Sequence, residues 1–137
     1  MNTTAVVDPF TELYPANFVL LTTYRKDGTP VPTPVWLAQN NGKLYVTTSS
    51  HAGKIKRIRN NGRVTLTPCD ARGHVKEKAP TIEGDARELE PAYHAQAKGL
   101  LRRKYGFAFM LISLLYFLQL GKRKHKNTFI EIKPVQA

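Results

Sequence analysis

The sequence predicts a mainly β domain, a small antiparallel barrel of six strands with two or three helices added. Two observations carry this expectation. Short runs rich in β-forming residues alternate with Asp-Gly and Asn-Gly turn signals. Segments compatible with a helix are few and come late, so strands must supply most of the core. The 137 residues, 42% apolar and 23% charged, suit one globular domain spanning 1–137 with a single core.

Residues 1–15 read as a lead-in, where Asp8-Pro9 is placed to start a short helical turn. "ANFVLLTTYR" (16–25) is the first strand and ends at "KDGT", where Asp27-Gly28 supplies the positive φ of a tight hairpin. "PVPTPVWLAQ" (30–39) follows as the second strand. "NNGK" (40–43) is a turn of the same kind, and "KLYVTTSS" (43–50) is the third strand, so that the three form a meander. "RVTLTPCD" (63–70) is the fourth strand. "PTIEGDARELE" (80–90) alternates as the fifth, with Gly84 expected at a bulge or bend. Pro91 starts a helix over 91–104, and "NTFIEIKP" (127–134) closes the domain as the sixth strand.

Residues 105–120 are expected as an apolar helix. Its continuous apolar part, Phe107 to Leu120, reaches about 21 Å as a helix, short of the roughly 30 Å of a hydrocarbon core. It therefore does not span a membrane. Three readings stay open: packing on the barrel or a subunit interface, a wall around an apolar substrate, or membrane-surface contact with Arg102–Lys104 and Lys122–Lys126 on headgroups.

Charge narrows the partners. Lys and Arg number 21 against 10 Asp and Glu, a formal net charge of +11. Such an imbalance attracts anions: nucleic acid, an anionic membrane, or a small molecule rich in phosphate or carboxylate. No helix-turn-helix, zinc-finger or RNA-recognition signature is present, so specific nucleic-acid binding is not expected. The lone cysteine, Cys69, excludes an intramolecular disulfide and reads as a small packed side chain. With an N-terminus that lacks a signal-peptide pattern, it points to a cytoplasmic protein.

The positive charge concentrates in "SSHAGKIKRIRNN" (49–61), where a strand hands over to a helix. Ile55 and Ile58 are spaced to face the barrel. Lys54 and Arg57 share one neighbouring face, and Lys56 and Arg59 another. Free N–H groups at the helix start favour an anion, Ser49 and Ser50 add hydroxyl donors, and Lys54 adds a point charge. The pattern fits either a phosphate cradle or a plain solvated basic helix. Prolines at 30, 32 and 34 remove backbone donors at alternate positions, which leaves that side of the strand open to a ligand or merely protected from aggregation.

"KDGTPVPTPVW", "GKLYVTTSSHAGKIKRIRNNGRVTL" and "IEGDARELE", in this order, resemble the flavin and deazaflavin oxidoreductase superfamily built on the pyridoxamine 5′-phosphate oxidase-like fold. The match is nearer to its F420-dependent branch and covers roughly residues 10–134. The resemblance implies a six-stranded antiparallel split β-barrel (the FMN-binding split barrel, a Greek key), a homodimer, and two cofactors in grooves at the dimer interface. It further implies that Thr33, Pro34, Val35 and Trp36 lie along the cofactor ring. Lys54 then contacts the phosphate, Thr48, Ser49 and Ser50 line the same site, and Arg57 is a weaker correspondence. The chain departs from relatives that carry a further basic residue two positions before the lysine, since Ala52 stands there.

The remaining candidates are plainer. Trp36 suits a core or interface position as well as a ring contact, and Tyr105 suits a helix anchor as well as a proton donor near a substrate. His51, His74, His94 and His125 show no metal-ligand spacing, and no catalytic triad, paired carboxylates or P-loop stands out. An oxidoreductase needs no such set, because the cofactor carries the reactive atom. The expectation is an enzyme that binds F420 and moves a hydride to or from a small organic substrate, a lipophilic one if the apolar segment walls the site. The alternatives are an FMN-binding flavoprotein (a flavin reductase or pyridoxamine-phosphate-oxidase-like oxidase) and a non-catalytic anion- or membrane-binding module.

Overall fold

The computed structural model describes residues 8–49, 52–104, 106 and 127–135. The strands are β1 (Phe18–Tyr24), β2 (Pro30–Trp36), β3 (Ala38–Asn40), β4 (Lys43–Ser49), β5 (Arg63–Cys69), β6 (Ile82–Glu88) and β7 (Asn127–Pro134). Helix α1 (Gly53–Asn60) follows β4, and residues 94–104 form a second helix, α2, led in by a 3-10 turn at Pro91–Tyr93. All pairs are antiparallel, in the order β2-β1-β5-β6-β7-β4-β3.

That order explains why the sheet closes. β2 and β3 are separated by Leu37 alone, yet they lie at opposite ends of the sheet. The sheet must curl until its two edges meet, and the chain crosses from one to the other at the fully buried Leu37. The single strand expected over 30–39 is therefore two, which makes seven strands rather than six, and the expected meander becomes two hairpins on opposite edges.

The prolines supply the physical reason. The Arg25 N–H donates to the Thr29 carbonyl at 2.9 Å, so these two form a hydrogen-bonded pair. Counting by twos puts Thr23–Val31, Leu21–Thr33 and Val19–Val35 in the same class. Pro30, Pro32 and Pro34 fall in the alternate class, with their ring nitrogens on the free edge. That edge offers carbonyl oxygens and no N–H, so β4 cannot pair with it. Only past the prolines, at β3, does pairing with β4 begin. The barrel is thereby split along β2.

The two turns also differ. Between β3 and β4, Asn41 (φ 52°) and Gly42 (φ 77°) both take the left-handed conformation of a two-residue hairpin. Between β1 and β2 only Gly28 does (φ 89°), while Asp27 accepts from the Thr29 N–H at 2.9 Å. In the lead-in, the Asp8 carboxylate accepts from the Phe10 N–H and the Tyr14 hydroxyl, and a 3-10 turn forms at Thr11–Leu13, slightly later than expected.

Inward residues of every strand but β3 fill the barrel, among them Val19, Leu21, Leu44, Val46, Leu66 and Ile132, and α1 plugs one end with Ile55 and Ile58. A second cluster lies outside, where Ala97 and Leu101 of α2 cover Ala38, Leu89 and Phe129, with Trp36 and Tyr45 at its margin. Lys104 ties the end of α2 to the lead-in by donating to the carbonyls of Tyr14 (3.3 Å) and Ala16 (2.8 Å).

Gly84 sits in regular pairing, opposite Val64 and Pro134, and not at a bulge. A Cβ there would stand 2.6 Å from Ile132 Cγ2 and 3.3 Å from the Lys133 carbonyl. Glycine is required by this close approach. Gly84→Ala is expected to cost about 2 kcal/mol through overpacking, read as a lower urea midpoint.

Candidate functional site

Beyond Ala38–Tyr45 the β3–β4 ladder stops, and β2 lies beside β4 without pairing to it. The strand segment 33–36 and the hydroxyls of Thr48 and Ser49 thus belong to adjoining strands. On β2 the faces divide: Val35 is buried in the barrel core with Thr33 on the same face, while Pro34 and Trp36 lie on the other. Trp36 meets Phe18 edge to face at 6.0 Å and packs with the outer cluster.

Helix α1 lies across the barrel end, and three of its cations reach three different strands. Lys54 Nζ donates to Thr48 Oγ1 at 3.0 Å on β4. Arg57 Nε donates to Thr23 Oγ1 at 2.6 Å on β1. Arg59 pairs at 2.7 Å with Glu88 of β6, which also accepts from the Thr128 hydroxyl at 2.9 Å. Arg59 has its counter-charge. Lys54 and Arg57 have no carboxylate within ion-pair distance among the described residues.

Burial, and then the neighbouring Arg57, hold the Lys54 ammonium below the ordinary lysine range. Burial and the charge of Arg25 similarly lower Arg57. Arg25 stands exposed at the hairpin, two residues beyond Thr23 on the same strand face. The first turn of α1 carries no acidic residue, and its cap, Ala52, makes no side-chain bond to the helix. Like charges, a lysine half out of water and an uncapped helix start all favour a bound anion.

The structure places Lys54 against Thr48 and near Arg57, and Thr33, Pro34, Val35 and Ser49 lie on the adjoining strands β2 and β4. Ser50 lies outside the described residues, as do His51, Tyr105, His125, the apolar segment 107–120 and the basic run 122–126. Among the described residues no helix is long and apolar enough to cross a membrane, and no cluster of three or more His, Cys, Asp or Glu is present. His94 packs on Phe129 and contacts the Leu89 carbonyl at 3.0 Å, and Cys69 is a partly buried thiol whose pKa burial raises. Of the run Arg102–Lys104, Lys104 is engaged by backbone carbonyls rather than held open for a ligand.

No local pattern signals Thr23 as the partner of Arg57, nor a second polar assembly on the outer face. There Tyr45, Glu131 and Arg87 stand in one row across β4, β7 and β6. The Tyr45 hydroxyl and Arg87 Nε each donate to the buried Glu131 carboxylate at 3.0 Å. Burial first, and then Glu131, push the Tyr45 phenol up to about 12. The row floors a groove of about 760 Å³ walled by Gln96, Leu100 and Arg103 of α2. Strand alternation puts each residue on the outer face, but only cross-strand register makes them neighbours.

The curled antiparallel sheet, open along β2, is that of a split β-barrel. A family model described as pyridoxamine 5′-phosphate oxidase matches residues 7–137, and the chain belongs to that family. A search of curated proteins found no match. Among solved structures, the FAD-binding protein from Mesorhizobium loti is similar at 20% identity and a TM-score of 0.62, covering 98% of this chain and 91% of that one. HutZ, the heme storage protein from Vibrio cholerae, is similar at 16% identity and a TM-score of 0.64, covering 88% and 83%. A heme-binding protein from Mycobacterium smegmatis aligns at 15% identity and a TM-score of 0.59, covering 99% of this chain and 53% of that one. At these identities the likeness is one of fold.

Two outcomes are expected. Lys54 has a lowered pKa in the folded chain, so between that value and the ordinary one the unfolded chain holds more protons. Stability should rise with pH across that window, and Lys54→Met should flatten part of the rise, read as urea midpoints in alkaline buffers. Arg87→Ala should cost about 2 kcal/mol by leaving the Glu131 carboxylate with a lost charged partner, measured by thermal or urea unfolding.

Proposed function

We propose that this protein is an oxidoreductase that binds the phosphorylated deazaflavin F420 along the β2 seam and transfers a hydride to or from a small organic substrate. The observation that carries the reading is the pair Lys54 and Arg57. Each is tethered to a barrel hydroxyl, neither has a carboxylate within ion-pair distance among the described residues, and both stand at the end of an unpaired strand edge. An anion there would relieve their mutual repulsion and return a hydrogen-bonding partner to a partly desolvated lysine.

The residues fit the group in three respects. Lys54 and Arg57 would hold the phosphate, with the Thr48 and Ser49 segment beside it. The carbonyl-only edge at Pro30, Pro32 and Pro34 would accept from ring N–H groups, with Thr33 and Val35 along the seam. Arg25 on the exposed rim, and the overall +11 charge, suit the further carboxylates of an oligoglutamate tail. When bound, the deazaflavin supplies two-electron hydride chemistry, and the chain supplies binding, orientation and charge. A homodimer, with a second copy completing the groove, belongs to the same proposal.

FMN is the second reading, favoured by the family match and by the likeness to a FAD-binding protein. The same cations would hold its phosphate.

Cofactor-stripped protein titrated side by side with F420 and FMN, followed by fluorescence quenching, tests both. Tighter F420 binding supports the proposal, and tighter FMN binding replaces it with the flavin reading. Lys54→Ala is expected to weaken the preferred cofactor about ten-fold or more. Unchanged affinity in that variant would remove Lys54 from the site.

A further inference from the structure

Resting on that reading of the anion site, we infer that Gly53 is a positioning residue whose missing side chain lets Arg57 lie across the first turn of α1 and reach Thr23. Gly53 is the first residue of the helix, and its φ is not in the left-handed region. The backbone there would accept any residue. Glycine is nonetheless the poorest ordinary helix former after proline, and alanine the best. A helix that opens on glycine without a conformational need has another reason for it.

The reason is room. A Cβ at position 53 would stand 2.8 Å from Arg57 Nη1 and 3.7 Å from its Cζ. The guanidinium therefore occupies the space that a side chain would take. From there its Nε–H points to Thr23 Oγ1 at 2.6 Å, on a buried threonine of β1. The obstructed atoms are the far end of a flexible side chain, so alanine would move Arg57 and leave the backbone in place. Gly53 thus sets where the second cation of the site stands, while Lys54 is set independently by Thr48.

The test compares wild type, Gly53→Ala, Arg57→Lys, Arg57→Ala and the double variant Gly53→Ala/Arg57→Ala. The first readout needs no ligand. The Arg57 Nε–Hε resonance, assigned by its loss in Arg57→Lys, should be protected from solvent exchange in wild type and exchange about ten-fold faster in Gly53→Ala. Gly53→Ala should melt at or above the wild-type temperature, since alanine favours the helix. The second readout is titration with F420 and FMN. Gly53→Ala should weaken the bound cofactor about as much as Arg57→Ala does, and add little on top of it.

Unchanged Hε protection in Gly53→Ala would overturn the inference. So would an equal loss of affinity from Gly53→Ala in the Arg57→Ala background, because Gly53 would then act without Arg57. If wild type bound neither cofactor, the reading of the site would fall, while the exchange measurement would still decide the role of Gly53.

Discussion

The free edge of β2 governs the architecture. Three prolines on one parity of a seven-residue strand leave that edge with carbonyls and no donors. A neighbouring strand needs both, so the barrel cannot close by hydrogen bonds along this line. Closure is achieved further along the chain, where Leu37 passes through the core and β3 joins β4. What remains is a seam between two covalently linked but unpaired strands. A barrel with a complete ladder would have had no such opening.

The end of the seam is where α1 acts. Its two isoleucines fill the barrel mouth, which fixes the helix, and its cations are then carried to the strand ends. Hydroxyl groups, not carboxylates, receive Lys54 and Arg57. A threonine oxygen orients a cation without neutralising it. The positive potential is retained, and the structure holds it against burial and mutual repulsion, as the lowered Lys54 and Arg57 ionisations record. Arg59 shows the contrast, because Glu88 cancels its charge and makes it a structural tie between helix and barrel.

On the outer face the same strands build a different device. Glu131 is buried, and its cost is offset by a phenol and a guanidinium supplied from the strands on either side. This row and the apolar patch beneath α2 tie β4, β6 and β7 together behind the edge that faces the seam. The two faces have separate tasks: one holds the wall, and the other holds charge at its opening.

Much of this was legible in the chain itself. The parity of Pro30, Pro32 and Pro34, the turn residues at Gly28 and Gly42, and the three-residue spacings of Ile55 with Ile58 and of Lys54 with Arg57 are local facts. Local facts follow from covalent geometry and the helix and strand periods. What the sequence could not determine is what depends on register between distant strands. The break at Leu37, the snug fit of Gly84 against Ile132, and the meeting of Arg57 with Thr23 and of Glu131 with Tyr45 and Arg87 are of this kind. Each depends on strands far apart in the chain, and only their pairing register and the curl of the sheet decide which groups meet.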